Sequence, residues 1–340
     1  LLALFCEASY AAKHVNKPYA ATSADANSTH PCVGAPAPAQ WKHIVVLMFE
    51  NKGYSKVING NLTSGNLARY ITRMANEECG TAYSGTSGAT PKNNWHDANY
   101  KVDGTKDGDD VYDHDGSYAS KPNYATLTNG LPPSVHGLTN DDYNTTTKVD
   151  NIYKQLIAYG KTFKDYYSGS ASDTPCKSAN FSGAYHDAIR YYIPTIGMEN
   201  CNSHDVPISP NFMNDVNKGT LPAFSLVLPT NDENMHNNSI SSGDIWAENF
   251  LTPLFNSAQY KSGDTAVFFL WDEDTAMPNV LMAPSIIAGS EVPAPTGNPI
   301  SHFAALRTWE DMLGLPMIGN TAQAPSLLLF FNGGGTPRLP

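Results

Sequence analysis

Two continuous apolar runs restrict what this chain can fold into more than any other feature. His43-Ile-Val-Val-Leu-Met-Phe49 and Thr265-Ala-Val-Phe-Phe-Leu-Trp271 show no alternation of polar and apolar residues. A strand with one wet face alternates, whereas a strand covered on both faces is apolar throughout. These runs therefore predict central strands of a mainly parallel sheet with helices on both faces. Phe224-Ser-Leu-Val-Leu228, stopped by Pro229, and Asn279-Val-Leu-Met-Ala283 predict two more strands. Helical spacing over 67–75, 152–159, 246–255 and 303–313 falls between and after them. That alternation makes the fold class α/β, as one domain. No stretch approaches the length of apolar chain that a membrane helix needs, so an integral membrane protein is not expected.

Residues 80–150 break the rhythm, being rich in Gly, Asp, Asn and Tyr with little periodicity. An irregular stretch of that length in a compact domain usually carries function. At the start, Leu1-Leu-Ala-Leu-Phe-Cys6 and the small residues up to Ala12 are expected to be the remnant of a secretory signal. Residues 13–41 are expected as an N-terminal extension, 42–328 as the functional domain and 329–340 as an irregular tail. Charged residues make up only 16% of the chain, so solubility leans on Asn, Ser, Thr and Gly, which suits a secreted protein. With Cys6 set aside, Cys32, Cys79, Cys176 and Cys201 allow three pairings. Cys176 and Cys201 bracket a polar, loop-like stretch, which favours that pair and leaves Cys32 with Cys79. Asn-x-Ser/Thr sequences at Asn27, Asn61, Asn144, Asn180 and Asn237 permit glycosylation. The net charge of −11, with no Lys/Arg run, disfavours a nucleic-acid partner. An anionic small substrate would need a local device, such as a metal, to be held by so negative a chain.

The chemistry concentrates at two places. In open α/β sheets ligands collect beyond the carboxyl ends of the strands. There the first apolar run delivers Glu50-Asn51, and the later one delivers Asp272-Glu273-Asp274. Carboxylates gathered at one point resist ionising together unless a cation sits among them. An all-oxygen set fits a hard divalent ion, or a borderline one such as manganese or zinc. The plainer alternative is a set of solvated strand-end residues. The second place is Ser120-Lys-Pro-Asn-Tyr124, followed by Leu127, Gly130-Leu131, Pro133, His136-Gly137 and Asn140-Asp141-Asp142. A serine there can present its hydroxyl at a helix start, where free N–H groups favour an anion. A bound metal would make that hydroxyl a nucleophile, and Asn123 could donate its amide to a phosphoryl oxygen. Taken alone, Ser-x-Pro-Asn also describes an ordinary turn.

The segment 120–137 resembles the nucleophile segment of the alkaline-phosphatase-like superfamily. Its nucleotide pyrophosphatase/phosphodiesterases carry a Thr there, then x-Pro-Asn, a Leu, a Gly and Pro-x-x-His-Gly. The closer resemblance is to the secreted acid phosphatase and phospholipase C phosphoesterase family, above all to its acid phosphatases. It rests on the 43–51 run with Tyr54, on Ser120–Tyr124 and Asn140–Asp142, and on Gly160-Lys-Thr-Phe-Lys-Asp-Tyr166. Tyr185-His186, Met235-His236, Gly243-Asp-Ile-Trp246, Trp271–Asp274, and Ser301-His302 with Leu306-Arg-Thr308 and Glu310 continue it. These pieces run in family order over residues 42–317.

The resemblance implies a single alkaline-phosphatase-like domain and a secreted phosphoric ester hydrolase. Its activity would be that of a metal-dependent phosphomonoesterase acting through a phosphoserine at Ser120. One divalent ion would be held by Glu50, Asn51, Asp272, Glu273 and Ser120. Asn123, His236 and His302 would surround the phosphoryl group of a small phosphorylated substrate, with His186 beside them. Near pH 5 His236 and His302 are expected to be cationic donors, giving an acid optimum. Asp244 is expected either behind the site or as a helix N-cap. Two alternatives stay open. One is a phosphodiesterase or phospholipase C on the same scaffold, with pocket walls from 80–118 and 168–210. The other is a non-catalytic binding protein with a decayed site. The chain departs from the family where Asp-x-His-Asp is replaced by Asn234-Met-His-Asn237, which argues against a second metal. It departs again at Tyr166-Tyr167-Ser168, where the family's acid is missing.

Overall fold

The apolar run at 43–49 forms strand β1 (His43–Phe49) and the run at 265–271 forms β6 (Thr265–Trp271), paired in parallel from His43 opposite Thr265 to Phe49 opposite Trp271. Six of the seven β1 residues and all seven of β6 are buried. Covering on both faces is what removes any place for a polar residue. Phe49 meets Phe269 and Trp271 edge-on, with centroids 4.8 and 5.5 Å apart. Such pairs contribute about 0.5–1.5 kcal/mol each beyond area burial. The computed structural model describes residues 21–58, 67–83, 120–169, 176, 184–273, 277–293 and 301–331.

Around this pair the described residues build an eight-stranded sheet in the order β4-β3-β5-β1-β6-β7-β2-β8. The other strands are β2 (Gly80–Tyr83), β3 (Phe163–Tyr167), β4 (Asp205–Pro207), β5 (Phe224–Leu228), β7 (Val280–Met282) and β8 (Ser290–Pro293). Only β7 runs antiparallel to its neighbours β6 and β2; the remaining pairings are parallel. The expected mainly parallel α/β sheet is therefore what forms.

The helices that matter for the site are α1 (Arg69–Arg73), α2 (Ser120–Asn129), α3 (Ile152–Ala158), α4 (Ile208–Lys218), α5 (Ile240–Asn256) and α6 (His302–Leu313). Two depart from the expected bounds. The helical spacing at 67–75 begins as α1 and passes into a π-helical turn over Met74–Glu78. The helix expected from 246 begins at Ile240, because Ser239 accepts from the Ser242 N–H as an N-cap.

Both expected disulfides are present, Cys32–Cys79 and Cys176–Cys201. The first ties residues 21–41 to the sheet. Beside it, Val33 and Ala35 donate backbone N–H groups to Pro284 O, and Trp41 packs edge-on against Phe331 at 4.9 Å. The expected signal remnant at 1–12, Asn61, Asn180, Asp274 and most of the expected pocket walls lie outside the described residues. Among the described residues no helix is long and apolar enough to cross a membrane.

Candidate active site

Because β1 and β6 run parallel and in register, Glu50 and Asp272 leave the same edge of the sheet side by side. The Asp272 N–H donates to Phe49 O at 3.2 Å, and the Asn51 N–H donates to Asp272 Oδ1 at 3.2 Å. Glu50 and Asp272 are wholly buried. Burial first, and the neighbouring Asp272 second, hold the Glu50 carboxyl well above the usual carboxylate range. Burial pushes Asp272 up to about 6. Asn51 takes φ +48°, a left-handed conformation that asparagine tolerates better than most residues. Across the site Met235 takes φ +76°, which costs an unbranched side chain about 1–3 kcal/mol. The bend carrying Met235 packs onto α5 at Gly243, where a Cβ would stand 2.4 Å from Met235 Cγ. Only glycine allows that approach.

Helix α2 brings the second constellation to this edge. Ser120 Oγ donates to Glu50 Oε2 at 2.9 Å. Four residues on, the Tyr124 hydroxyl donates to Glu50 Oε1, so one turn of α2 grips both oxygens of one carboxylate. Asn123 lies buried beside them, and its Nδ2 reaches Glu273 Oε2 at 3.5 Å. The expectation that the helix start offers free N–H groups to a substrate anion is corrected here. Asp141 Oδ1 accepts the Lys121 N–H at 2.8 Å and its carboxylate also takes the Ser120 N–H. The anion at this helix end is thus built in. Lys121 turns away from the edge, donating through Nζ to Asp142 O and to Thr145 O at 2.6 Å.

The histidines divide by burial. His302, at the start of α6, places Nε2 at 2.8 Å from Asp272 O, and only an N–H can bond a carbonyl there. Full burial lowers its pKa to about 4, despite that bond. His302 is therefore neutral near pH 5, which corrects the expectation of a cationic donor. His186 stacks on the Tyr124 ring at 4.9 Å and 17°, with Nε2 at 3.4 Å from Glu50 Oε1. Burial holds it, too, well below the ordinary value. His236 is partly exposed, and its ring is set by the two departures from the family pattern. The Asn234 side chain accepts the His236 N–H at 3.0 Å, and Asn237 Oδ1 accepts from His236 Nδ1 at 3.1 Å. Asn237 Nδ2 donates to Asp232 Oδ1 at 3.1 Å, which fixes which amide atom faces the imidazole.

All the residues expected at the site are thus gathered at or beside one sheet edge. A model of the Phosphoesterase family matches residues 79–300. The chain belongs to the Phosphoesterase family. It is 30% identical over 214 residues to a phosphatidylinositol-3-phosphatase of Mycobacterium tuberculosis, covering 62% of this chain and 68% of that protein. It is 21% identical over 221 residues to an acid phosphatase of Aspergillus fumigatus, covering 60% of this chain and 47% of that one. The chain thus spans about half the length of the fungal relative. A Vibrio parahaemolyticus protein of the alkaline phosphatase superfamily has a similar fold, with a TM-score of 0.51 at 13% identity over 91% of this chain and 74% of that chain. This phosphoesterase is a phosphoric ester hydrolase, similar in sequence to acid phosphatases and in fold to the alkaline phosphatase superfamily.

Several contacts of this phosphoesterase were not legible beforehand. Tyr124 stands in the sequence only as the end of the Ser120–Tyr124 motif, although its spacing from Ser120 puts both on one helix face. Asp141 belongs to the Asn140–Asp142 piece of the resemblance, but nothing in the sequence points to its bond with the Lys121 N–H. Lys52, next to Asn51, lies in the field of Glu50, Asp272 and Glu273. Asp244 caps a helix other than its own, accepting the Tyr70 and Ile71 N–H groups of α1 at 3.0 and 2.8 Å. His136 is a structural histidine, with Nδ1 accepting from the Leu138 N–H at 3.0 Å and burial lowering its pKa to about 4.

The donor set fits a divalent cation. Asn51 Oδ1, Asn123 Oδ1 and Asp272 Oδ2 are buried without a hydrogen-bond partner. With the raised carboxyls of Glu50 and Asp272 they make an oxygen-rich edge at which a cation would offset the repulsion between the carboxyls.

Proposed function

We propose that this phosphoesterase is a secreted, metal-dependent phosphomonoesterase of acid-phosphatase type in which Ser120 is the nucleophile. The observation that carries the reading is the Ser120 hydroxyl at 2.9 Å from Glu50 Oε2, beside the partnerless oxygens of Asn51 and Asp272. Glu50, Asn51, Asp272 and Ser120, with Glu273 next in line, are the residues that would hold one divalent ion. When bound, such an ion neutralises the carboxylates, lowers the pKa of the serine hydroxyl and draws charge from a phosphoryl oxygen. The amides at 234 and 237 are committed to His236 and add no charge for a second ion.

In the first half-reaction Ser120 Oγ, aligned by Glu50 Oε2 and with its proton passed to water, attacks phosphorus. The bond from phosphorus to the leaving oxygen breaks as the Oγ–P bond forms. One Asn123 N–H faces Glu273, and the amide's second N–H is available to a phosphoryl oxygen. His236, partly exposed and with Nδ1 donating to Asn237, would hand a proton to the leaving oxygen through Nε2. His302 and His186 are neutral and act on position, His302 by fixing the Asp272 carbonyl and His186 by backing Tyr124. Water then attacks the phosphoserine, releasing phosphate and returning the hydroxyl. The two disulfides are consistent with an oxidising compartment.

The test is hydrolysis of paired chromogenic monoesters and diesters by wild type, Ser120→Ala and Glu50→Ala, with and without added Mn²⁺, Mg²⁺ or Zn²⁺. Ion-dependent cleavage favouring monoesters, faster near pH 5 than near pH 9, is the expected result. Faster diester cleavage, or a rate still rising at pH 9, would replace the acid phosphomonoesterase reading with its phosphodiesterase or two-metal counterpart.

A further inference from the structure

Glu50 is held from behind as well as from in front. Its Oε1 side is closed by the Tyr124 hydroxyl and by His186 Nε2 at 3.4 Å, and only its Oε2 side faces Ser120 at 2.9 Å. Tyr124 is itself immobilised, being 1% exposed and stacked on the His186 ring at 4.9 Å, which Tyr185 in turn contacts edge-on at 4.1 Å. The hydroxyl of Thr128, one turn on, donates to Tyr124 O at 2.7 Å and anchors that turn of α2. A carboxylate gripped in this way cannot swing to offer both oxygens to one ion.

We propose that Tyr124 is a positioning residue that makes Glu50 a one-oxygen ligand and so sets the site against Ca²⁺. The inference rests on the reading of Glu50 as a metal ligand. Ca²⁺ takes six to eight oxygens at longer distances and readily uses both oxygens of a carboxylate. Mg²⁺ and Mn²⁺ accept fewer donors in tighter geometry, for which single oxygens from Glu50, Asn51, Asp272 and Ser120 suffice. Releasing Oε1 should therefore loosen the grip on the small ions while removing the bar to Ca²⁺.

The experiment is calorimetric titration of chelator-treated full chain with Mn²⁺ and with Ca²⁺, using wild type, Tyr124→Phe, His186→Leu and Glu50→Ala. Tyr124→Phe is expected to weaken Mn²⁺ binding about tenfold or more, a typical loss for an outer partner of a metal ligand. Ca²⁺ binding should hold or tighten, so the preference for Mn²⁺ over Ca²⁺ falls by at least the same factor. His186→Leu, which keeps the phenol but removes the ring behind it, should shift the preference in the same direction by less. It serves as the reading if Tyr124→Phe does not fold. A purely structural Tyr124 would lower the melting temperature and leave the ion preference unchanged. If Tyr124→Phe, or His186→Leu in its place, keeps the wild-type preference while Glu50→Ala loses both ions, the inference about Tyr124 is overturned and the metal reading stands. If Glu50→Ala binds Mn²⁺ as wild type does, the metal reading itself fails.

Discussion

Two oxygens of one carboxylate organise this site, and Ser120 depends on them. Glu50 Oε2 receives the Ser120 proton and Oε1 receives that of Tyr124, so the serine is aligned before any substrate arrives. Ser120→Ala removes one hydroxyl from a buried helix start and should cut turnover by several orders of magnitude. Its far-ultraviolet circular dichroism should stay that of wild type, and near-normal turnover would remove Ser120 from the mechanism. Asp141 acts on the same helix from its other side. Asp141→Ala leaves the Ser120 and Lys121 N–H groups without their carboxylate, and should cost about 0.5–2 kcal/mol in a denaturant titration. No loss there would mean that the built-in anion is not stabilising α2. The resemblance brings Glu50 and Ser120 to one site, but the hydroxyl-to-oxygen pairing is not visible in the chain, where Glu50 is separated from Ser120 and Tyr124 by 70 and 74 positions. The residue types at the strand ends were legible; which oxygen faces which hydroxyl was not.

Among the elements, the central strands were legible because total burial leaves an unbroken apolar run. The outer strands β3 and β4 were not, and Asp165 and Asp205 show why. Each is a buried acid in a strand, opposite the other in register, and a charged residue in a short segment reads as loop. Asp165 Oδ2 accepts from the Tyr153 hydroxyl at 2.7 Å and the Ile189 N–H at 3.2 Å, while its Oδ1 is buried without a hydrogen-bond partner. Asp187, in the segment that carries Tyr185 and His186, joins the same acid group, with Arg190 the nearby cation. Burial raises the Asp187 carboxyl from 3.8 to about 7, and the neighbouring acids Asp165 and Asp205 are raised as well. The folded chain therefore holds the Asp187 proton where the unfolded chain has lost it. Below about pH 4 both states are protonated and the group is neutral to stability. Between pH 3.8 and about 7 stability should fall with rising pH, by up to about 1.4 kcal/mol per unit for this proton. Above about 7 the loss is complete and constant. Urea titrations from pH 4 to 8 should show that decline, and Asp187→Asn should flatten its contribution. An Asp187→Asn chain with the wild-type slope would place the titration elsewhere.

At the scale of the whole molecule, the sheet edge concentrates negative charge that the fold does not neutralise by itself. A protein that binds an ion only when folded is stabilised by it, by about 2.7 kcal/mol at a hundredfold excess over the dissociation constant. Adding Mn²⁺ to chelator-treated protein should raise the melting temperature of wild type and leave that of Glu50→Ala unmoved. Elemental analysis of dialysed, ion-loaded protein should give one ion per chain, since Asn234 and Asn237 are engaged with His236. Two ions would show that another set of donors exists. The most direct measurement of the central claim is a rapid acid quench during steady turnover of a monoester, followed by peptide mass spectrometry. Phosphate bound covalently to the peptide containing Ser120, and absent from Ser120→Ala, is the predicted result. Steady turnover with no phosphorylated Ser120 trapped, or phosphate on another residue, would contradict the account.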